Sequence, residues 1–416
     1  MRRGVRSAAA AAGALVSHTR RTRATAMDAD EAIYYGAHGR GIGERMGIDE
    51  VAGGAVAVPG CPIDRIALFS ERHETLRRWA TEANWRDVTT RHKTWHFLRT
   101  ENLTQEAVVD RVRQHYQSCT HEPGRRVQAA LYRCDGAGAF ASLRRSCAVA
   151  RVPTLVDGVY DEKVERCIVD FANCRLGGAW LSYGMVQEEK LFIERPDLGA
   201  LCARALVALP EPRAGALPPA SPFSMRPNEA WLLRGAPAYA SVGWYGRTPP
   251  DALERLALLD PSEDGATSPT VVAIDAIRAA GLAAYERAHL DAMLRKAYVG
   301  FAAARHDTEL GGHRTIATGN WGCGAFGNNE RVALVVQSLA ADLAGVRLRY
   351  HLPKGLGGEG AAEAGTDALT PALEMLEHAR AEGISVEQVS WLERLEPHGS
   401  QSAPLVSLPI SPGLPI

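Results

Sequence analysis

The chain has 416 residues, 46% of them hydrophobic and 23% charged. That is the balance of a folded globular protein and excludes a disordered chain, a collagen or a disulfide-rich miniprotein. Lysine and arginine number 47 against 48 aspartates and glutamates, a formal charge of −1 that argues against a polybasic nucleic-acid coat.

Residues 1–27 carry six arginines and no acid, which leaves 41 basic against 48 acidic residues in the remainder. An acid-free stretch rich in Arg, Ala, Ser and Thr predicts a disordered organelle transit peptide, for mitochondrion or plastid, with nucleus or cytoplasm as the alternative address. Its apolar run, Ala8 to Val16, is too short for a bilayer, and no membrane partner is expected. Residues 28–60 are Gly/Ala-rich and read as a loose lead-in. The stretch from 61 to 120, with "LFSERHETLRRWATEANW" and "AVVDRVRQHYQS", has mostly helical spacing and predicts a small helical accessory region within 28–149. His92 and His96 stand at i, i+4 there without the glutamate of a zinc motif, so a packed or solvated helix is expected. The eight cysteines form no Cys-x-x-Cys; reduced thiols, no metal and no cofactor are the expectation.

From about 150 the texture changes. "VERCIVDF" (164–171) and "TVVAIDAI" (270–277) predict strands, the second followed by a long helix through Phe301. "RVALVVQSLAADLAG" (331–345) predicts a helix with Asn328 or Asn329 as N-cap and Gly345 as its stop. "VRLRYHL" follows as a strand, then a helix opening at Thr370-Pro371 and ending at Gly383. Residues 396–416, rich in proline, predict a disordered tail. Strands alternating with helices over 150–395 imply a layered α/β domain with ligand loops at one end of its sheet.

Three segments carry more glycine and polar detail than packing needs. In "VDFANCRLGGAWLSYGMVQEEKLF" (169–192) a strand ends near Asp170, Asn173 follows, and a Gly177-Gly178-Ala179 loop leads to Gln187-Glu188-Glu189. Small residues after a strand let backbone N–H groups approach an anion such as a diphosphate. Adjacent glutamates diverge around a helix axis, so one is expected at the bond being broken and the other on a neighbouring hydroxyl. In "TIATGNWGCGAFGNNE" (315–330) four glycines interleave with Asn320, Trp321, Cys323 and Phe326 before a helix, a pattern with donors and a dipole suited to phosphate. No Gly-Lys-Ser/Thr closes it, so it is not a Walker loop. The third, "GLGGEG" (355–360), matches a dinucleotide pattern only formally and reads as a surface loop.

Taken together, the first two segments resemble the catalytic domain of the poly(ADP-ribose) glycohydrolase family. The resemblance rests on Val169-Asp170-Phe171-Ala172-Asn173, on Gln187-Glu188-Glu189, and on Thr318 to Asn328 against a "TGNWGCGAFGG" pattern; "VAIDA" (272–276) and "KAYVGF" (296–301) support it. It implies a macrodomain-like three-layer α/β/α fold with a mixed sheet, after a helical accessory region. It also implies hydrolysis of ribose–ribose O-glycosidic bonds in poly(ADP-ribose) on modified proteins, without direct nucleic-acid binding and by a monomer. Glu189 would be the catalytic acid and then base, Glu188 would hold ribose hydroxyls, and Asp170 and Asn173 would support the site. Gln187 would help place the nucleotide. Gly177, Gly178 and Ala179, with Gly322, Cys323, Gly324 and Ala325, would grip the diphosphate, Asn320 would also bind substrate, and Phe326 would lie against the distal ribose. Tyr245, with Tyr239 as competitor, would stack the adenine. Ala179 departs from the family's triple glycine, and its Cβ leaves open an ADP-ribose-binding reader with weak or no turnover.

Overall fold

A computed structural model describes residues 49–50, 56–95, 103–119, 124–181, 184–208, 223–261, 268–278, 285–324, 326–352 and 366–389. The arginine-rich leader, the 355–360 loop and the proline-rich tail lie outside the described residues.

Strand formation begins earlier than the spacing predicts. β1 (Asp49–Glu50), β2 (Val56–Ala57) and β3 (Asp64–Arg72) precede three helices, α1 (His73–Trp79), α2 (Glu82–Trp95) and α3 (Leu103–Ser118), and then β4 (Arg126–Arg133). "LFSER", read as helical, is therefore the end of β3. Its Leu68 and Phe69 enter opposite cores, and consecutive apolar residues buried on both faces of a sheet mimic helical spacing. The described region before 150 thus contributes four strands as well as helices, and its helices cover a sheet that continues into the rest of the chain.

The remainder runs α4 (Ala137–Ser146), β5 (Thr154–Asp157), β6 (Cys167–Ala172), α5 (Gln187–Glu194), α6 (Pro196–Ala208), β7 (Glu229–Arg234), β8 (Ala240–Val242), α7 (Ala252–Arg255), β9 (Leu256–Leu258), β10 (Thr270–Asp275), α8 (Arg287–His306), β11 (Thr315–Gly319), α9 (Glu330–Ala344), β12 (Arg347–Leu352) and α10 (Thr366–Ala381). Asn329 caps α9 by accepting from the N–H groups of Arg331 and Val332, and Gly345 ends it in the left-handed region, as the sequence predicts. α10 starts before the expected Thr370-Pro371 pair, and Pro371 lies inside it. A proline this near a helix N-terminus removes few intrahelical bonds, so the first turn forms ahead of it.

Ten strands form one mixed sheet in the order β1-β3-β4-β7-β10-β6-β11-β12-β5, with β2 also on β3. β10, β6, β11, β12 and β5 are parallel; β7, β4 and β3 continue antiparallel. One face packs α4, α8, α9 and α10 through Tyr132, Val169, Ile274, Ile316 and Tyr350. The other packs α1, α2, α3, α5 and α6 through Phe69, Leu131, Ile168 and Trp231. The result is the expected three-layer α/β/α arrangement, with α1, α2 and α3 in one outer layer and α4 in the other. Among the described residues no helix is long and apolar enough to cross a membrane.

β10 is buried along its whole length, and its terminal Asp275 forms a buried ion pair with Lys296 of α8. One turn further along α8, Gly300 faces the same strand. A Cβ there would lie 2.6 Å from Val272 Cγ1 and 2.9 Å from Ile274 Cγ2. Alanine would gain about 1 kcal/mol in helix propensity, but overpacking against two buried β-branched side chains costs about 1–3 kcal/mol. Gly300→Ala is expected to lose up to about 2 kcal/mol of stability in urea denaturation; a raised midpoint would show that the helix can move off the sheet.

Candidate active site

The site follows from a gap in the sheet. β6 pairs with β10 from Cys167 to Ala172 but meets β11 in register only at Ile168–Ala317. Beyond that pair the strands part, and buried backbone groups left unpaired would be costly. Gln187, the first residue of α5, supplies both partners: its Oε1 accepts from the Phe171 N–H at 2.8 Å, and its Nε2 donates to the Val169 carbonyl at 2.9 Å. Both ends of the Gln187 amide thus serve the strand, which leaves one N–H and one lone pair for the expected part in placing the nucleotide.

Gln187 fixes the start of α5 and hence the next two side chains. Glu188 accepts from the N–H groups of Gly177 (2.7 Å) and Asn173 (2.8 Å), tying together both ends of the first loop. Glu189 accepts from the Ala179 N–H at 3.1 Å and from the Val186 N–H at 3.2 Å. The second bond is one half of a capping box; the Val186 side chain has no oxygen to return the other half. The carboxyl groups do not diverge as expected. They close on Gly178, where an added Cβ would sit 2.5 Å from Glu189 Oε1 and 2.6 Å from Glu188 Oε2. Gly178 also takes a φ of 53°, so both space and backbone conformation require glycine. Ala179 spends its N–H on Glu189 and not on an anion, and the neighbouring Trp180 is buried against Trp85 and Phe192.

Asp170 lies beneath these two, on the β6 face that carries Ile168. It is fully buried, and neither oxygen has a hydrogen-bond partner among the described residues. Burial, reinforced by the charge of Glu189, pushes its pKa well above the usual carboxylate range, with Arg195 opposing. Burial and then the charges of Asp170 and Glu189 raise Glu188 as well, against the lowering effect of its two N–H bonds. Glu189 is also raised by burial, while its backbone donors pull it down. Arg195, itself buried and paired with Glu162, is the nearby positive charge; nothing in its sequence context signals that role. Asn173 accepts at Oδ1 from the Arg175 N–H at 3.0 Å, which keeps the loop tight after the strand.

The second loop leaves β11 on the same edge of the sheet. Gln337 of α9 anchors its base, donating to the Gly319 carbonyl at 3.0 Å and accepting from Thr318. Both ends of the Asn320 amide are held internally, by Tyr350 at 3.0 Å and Glu330 at 3.2 Å. Trp321 is buried and donates to the Ile274 carbonyl. Gly322 takes a positive φ, while Gly324 is exposed with open space where a Cβ would be. Phe326 is half-buried against the core. Ala325 lies outside the described residues. Burial raises the Cys323 thiol and holds Cys174 at about 12, so neither is a thiolate. The roles of Gln337, Tyr350 and Glu330 escaped sequence reasoning, since each sits in an ordinary helix or strand pattern.

Of the two tyrosines, Tyr239 is buried with its hydroxyl accepting from Arg125 at 2.9 Å and its ring stacked on His73. It has no face for a base. Tyr245 is 39% exposed. Its segment is held where the Gly246 N–H donates to the Met185 carbonyl at 2.9 Å, and the charge of Glu189 reaches its hydroxyl. Among the described residues no group of His, Cys, Asp and Glu is arranged to hold a metal ion.

Comparison with known proteins gives one family. The model described as poly(ADP-ribose) glycohydrolase, macro domain fold, matches residues 148–355, half of the chain. A probable poly(ADP-ribose) glycohydrolase 2 from Arabidopsis thaliana is 28% identical over 224 residues, covering 45% of this chain and 39% of that protein. Poly(ADP-ribose) glycohydrolase 1 from Caenorhabditis elegans is 29% identical over 203 residues, 44% of this chain and 22% of that one. The chain thus spans well under half the length of the curated relatives it matches. The crystal structure of poly(ADP-ribose) glycohydrolase from Thermomonospora curvata aligns with a TM-score of 0.39 at 16% identity, over 67% of this chain and 100% of that one. That of the Deinococcus radiodurans protein in complex with ADP-ribose aligns at 0.36 and 14%, over 62% and 99%.

The buried carboxyl of Asp170 has a consequence for stability. Its folded-state pKa is raised, so the folded chain holds a proton that the unfolded chain releases above about pH 4. Its favourable contribution is complete below that pH and is lost as pH rises toward the folded-state value. Asp170→Asn removes this dependence. Relative to wild type it is expected to gain up to about 1.4 kcal/mol per pH unit above pH 4, read from thermal unfolding between pH 4 and 8. A pH-independent difference would show that Asp170 is ionised.

Proposed function

This chain belongs to the poly(ADP-ribose) glycohydrolase family, and we propose that it cleaves the ribose–ribose O-glycosidic bonds of poly(ADP-ribose) on modified proteins, releasing ADP-ribose, with Glu189 as acid and then base. The observation that carries this reading is the Glu189 carboxyl. It is 8% exposed, raised in pKa by burial, and held by two backbone N–H groups next to the loop that closes on Gly178. Glu188, with the shorter bonds and less exposure, is the poorer proton donor.

In this mechanism the second glycine loop holds the diphosphate of the ADP-ribose unit, the first loop holds the two glutamates, and Tyr245 stacks the adenine. Phe326 flanks the distal ribose. The protonated Glu189 delivers its proton to the bridging oxygen as the bond to the anomeric carbon breaks. The oxocarbenium-like centre that develops is stabilised by negative charge on the carboxyl pair, and Glu189 then takes a proton from the attacking water. Glu188 supports the neighbouring ribose hydroxyls with the lone pairs that its backbone donors leave free. An ADP-ribose reader without turnover drew on Ala179; the N–H of that residue supports the Glu189 carboxyl, which favours turnover.

Automodified polymer incubated with wild type and Glu189→Gln tests the reading. Release of ADP-ribose is expected to fall at least about a hundredfold in the variant, the scale of a lost general acid, with ADP-ribose affinity nearly kept. Since Glu189 donates only while protonated, wild-type kcat is expected to fall as pH rises through its raised pKa. Equal release by both proteins would remove Glu189 from its role. Binding without release, by wild type and by Ala179→Gly alike, would restore the reader.

A further inference from the structure

The second glycine loop is closed by a buried side chain that the reaction above does not use. Asn328, 6% exposed, stands where the "TGNWGCGAFGG" pattern has its last glycine, and its amide joins three separate parts of the fold. Nδ2 donates to the Ile277 carbonyl beyond β10 at 3.0 Å and to the Gly322 carbonyl at 3.3 Å. Oδ1 lies 2.9 Å from Nε2 of His289, in the first turn of α8. The Asn328 backbone N–H also donates to the Gly322 carbonyl, at 3.0 Å. Two carbonyls facing one end of the amide fix its orientation, so Oδ1 is the end that meets His289 and His289 Nε2 carries the proton.

This geometry does more than fill space. The segment from Gly322 to Asn328 has an exposed tip at Gly324 and meets the core through Phe326, so the spacing of the N–H groups near its tip depends on how its two ends are held. The Asn328 amide holds both ends, and His289 alone among the described residues satisfies the oxygen that keeps that amide from rotating. We propose that His289 and Asn328 are positioning residues that pre-set the 322–327 loop for an anionic group, the diphosphate of an ADP-ribose unit. The ligand assignment rests on the function proposed above; the clamp itself does not. Preset donors bind an anion without first having to be ordered, so the gain appears in binding and not in the chemical step.

The test compares wild type with His289→Ala, His289→Gln, Asn328→Gly and the His289→Ala/Asn328→Gly double variant. Hydrogen exchange of the unliganded proteins comes first, because it reads the clamp without any ligand. In His289→Ala the Gly327 and Asn328 amides are expected to exchange about tenfold faster with little change in Tm, and His289→Gln, which keeps an N–H donor, is expected to restore most of the protection. In the Asn328→Gly background, His289→Ala is expected to add nothing, the sign that it acts through Asn328. Titration with ADP-ribose and polymer kinetics then read the ligand: Kd and KM are expected to rise about tenfold in His289→Ala with kcat within about threefold. Unchanged exchange, or an equal effect of His289→Ala in both backgrounds, would overturn the clamp. Altered exchange with unaltered Kd would overturn its role in anion binding. Failure of wild type to bind ADP-ribose would instead count against the proposed function, with the exchange result still deciding the clamp.

Discussion

The site depends on one unmet requirement of the backbone. β6 finds a neighbour in β11 at a single registered pair, and past it the strand still presents an N–H and a carbonyl to a protein interior. Each such group left unpaired would cost about 1–3 kcal/mol. A primary amide is the side-chain group that offers a donor and an acceptor at the right separation, and Gln187 spans Phe171 and Val169 with one of each. The helix that follows is thereby pinned at its first residue, and with it both carboxyl groups. The parting of two strands and the placement of the acids beside it are one structural event.

Pinning three carboxyl groups together in a buried space sets an electrostatic problem. Asp170, Glu188 and Glu189 act on one another, and full ionisation of all three would be strongly opposed. The fold answers with backbone donors from the first loop, with the N-terminal end of α5, and with Arg195 beneath. The answer is graded. Among the described residues Asp170 receives no hydrogen bond, and burial raises its pKa; Glu188 has short bonds and almost no exposure; Glu189 has longer bonds and more exposure. Three carboxyl groups are thus given different surroundings by one short stretch of chain.

Much of this was legible in the sequence where local pattern and tertiary use coincide. The strand ending at Ala172, the helix from 330 to 344 and its asparagine cap, and the two glycine segments were readable because apolar runs and turn residues bounded them. β3 was not: a strand buried on both faces carries no alternation, and Leu68 beside Phe69 looks helical until β4 is seen next to it. The structural partners of Gln187 and Asn320 were hidden for a related reason. A polar residue in a motif invites a ligand, yet each of these answers a backbone or side-chain partner that only the folded chain brings near. Tyr245 could be separated from Tyr239 only by knowing that His73 and Arg125, distant in sequence, close over the latter.

The recognisable motif region begins at 148, but the sheet does not. β7 is bonded on one side to β10 and on the other to β4 over the full run from Gln128–Arg234 to Arg133–Glu229. Cutting the chain at the motif boundary would strip that flank and turn an interior strand, with Trp231 and Leu233 on it, into a naked rim for self-association. The folding unit is larger than its signature, and the upstream strands act as a selvedge that keeps the cloth from unravelling into fibres.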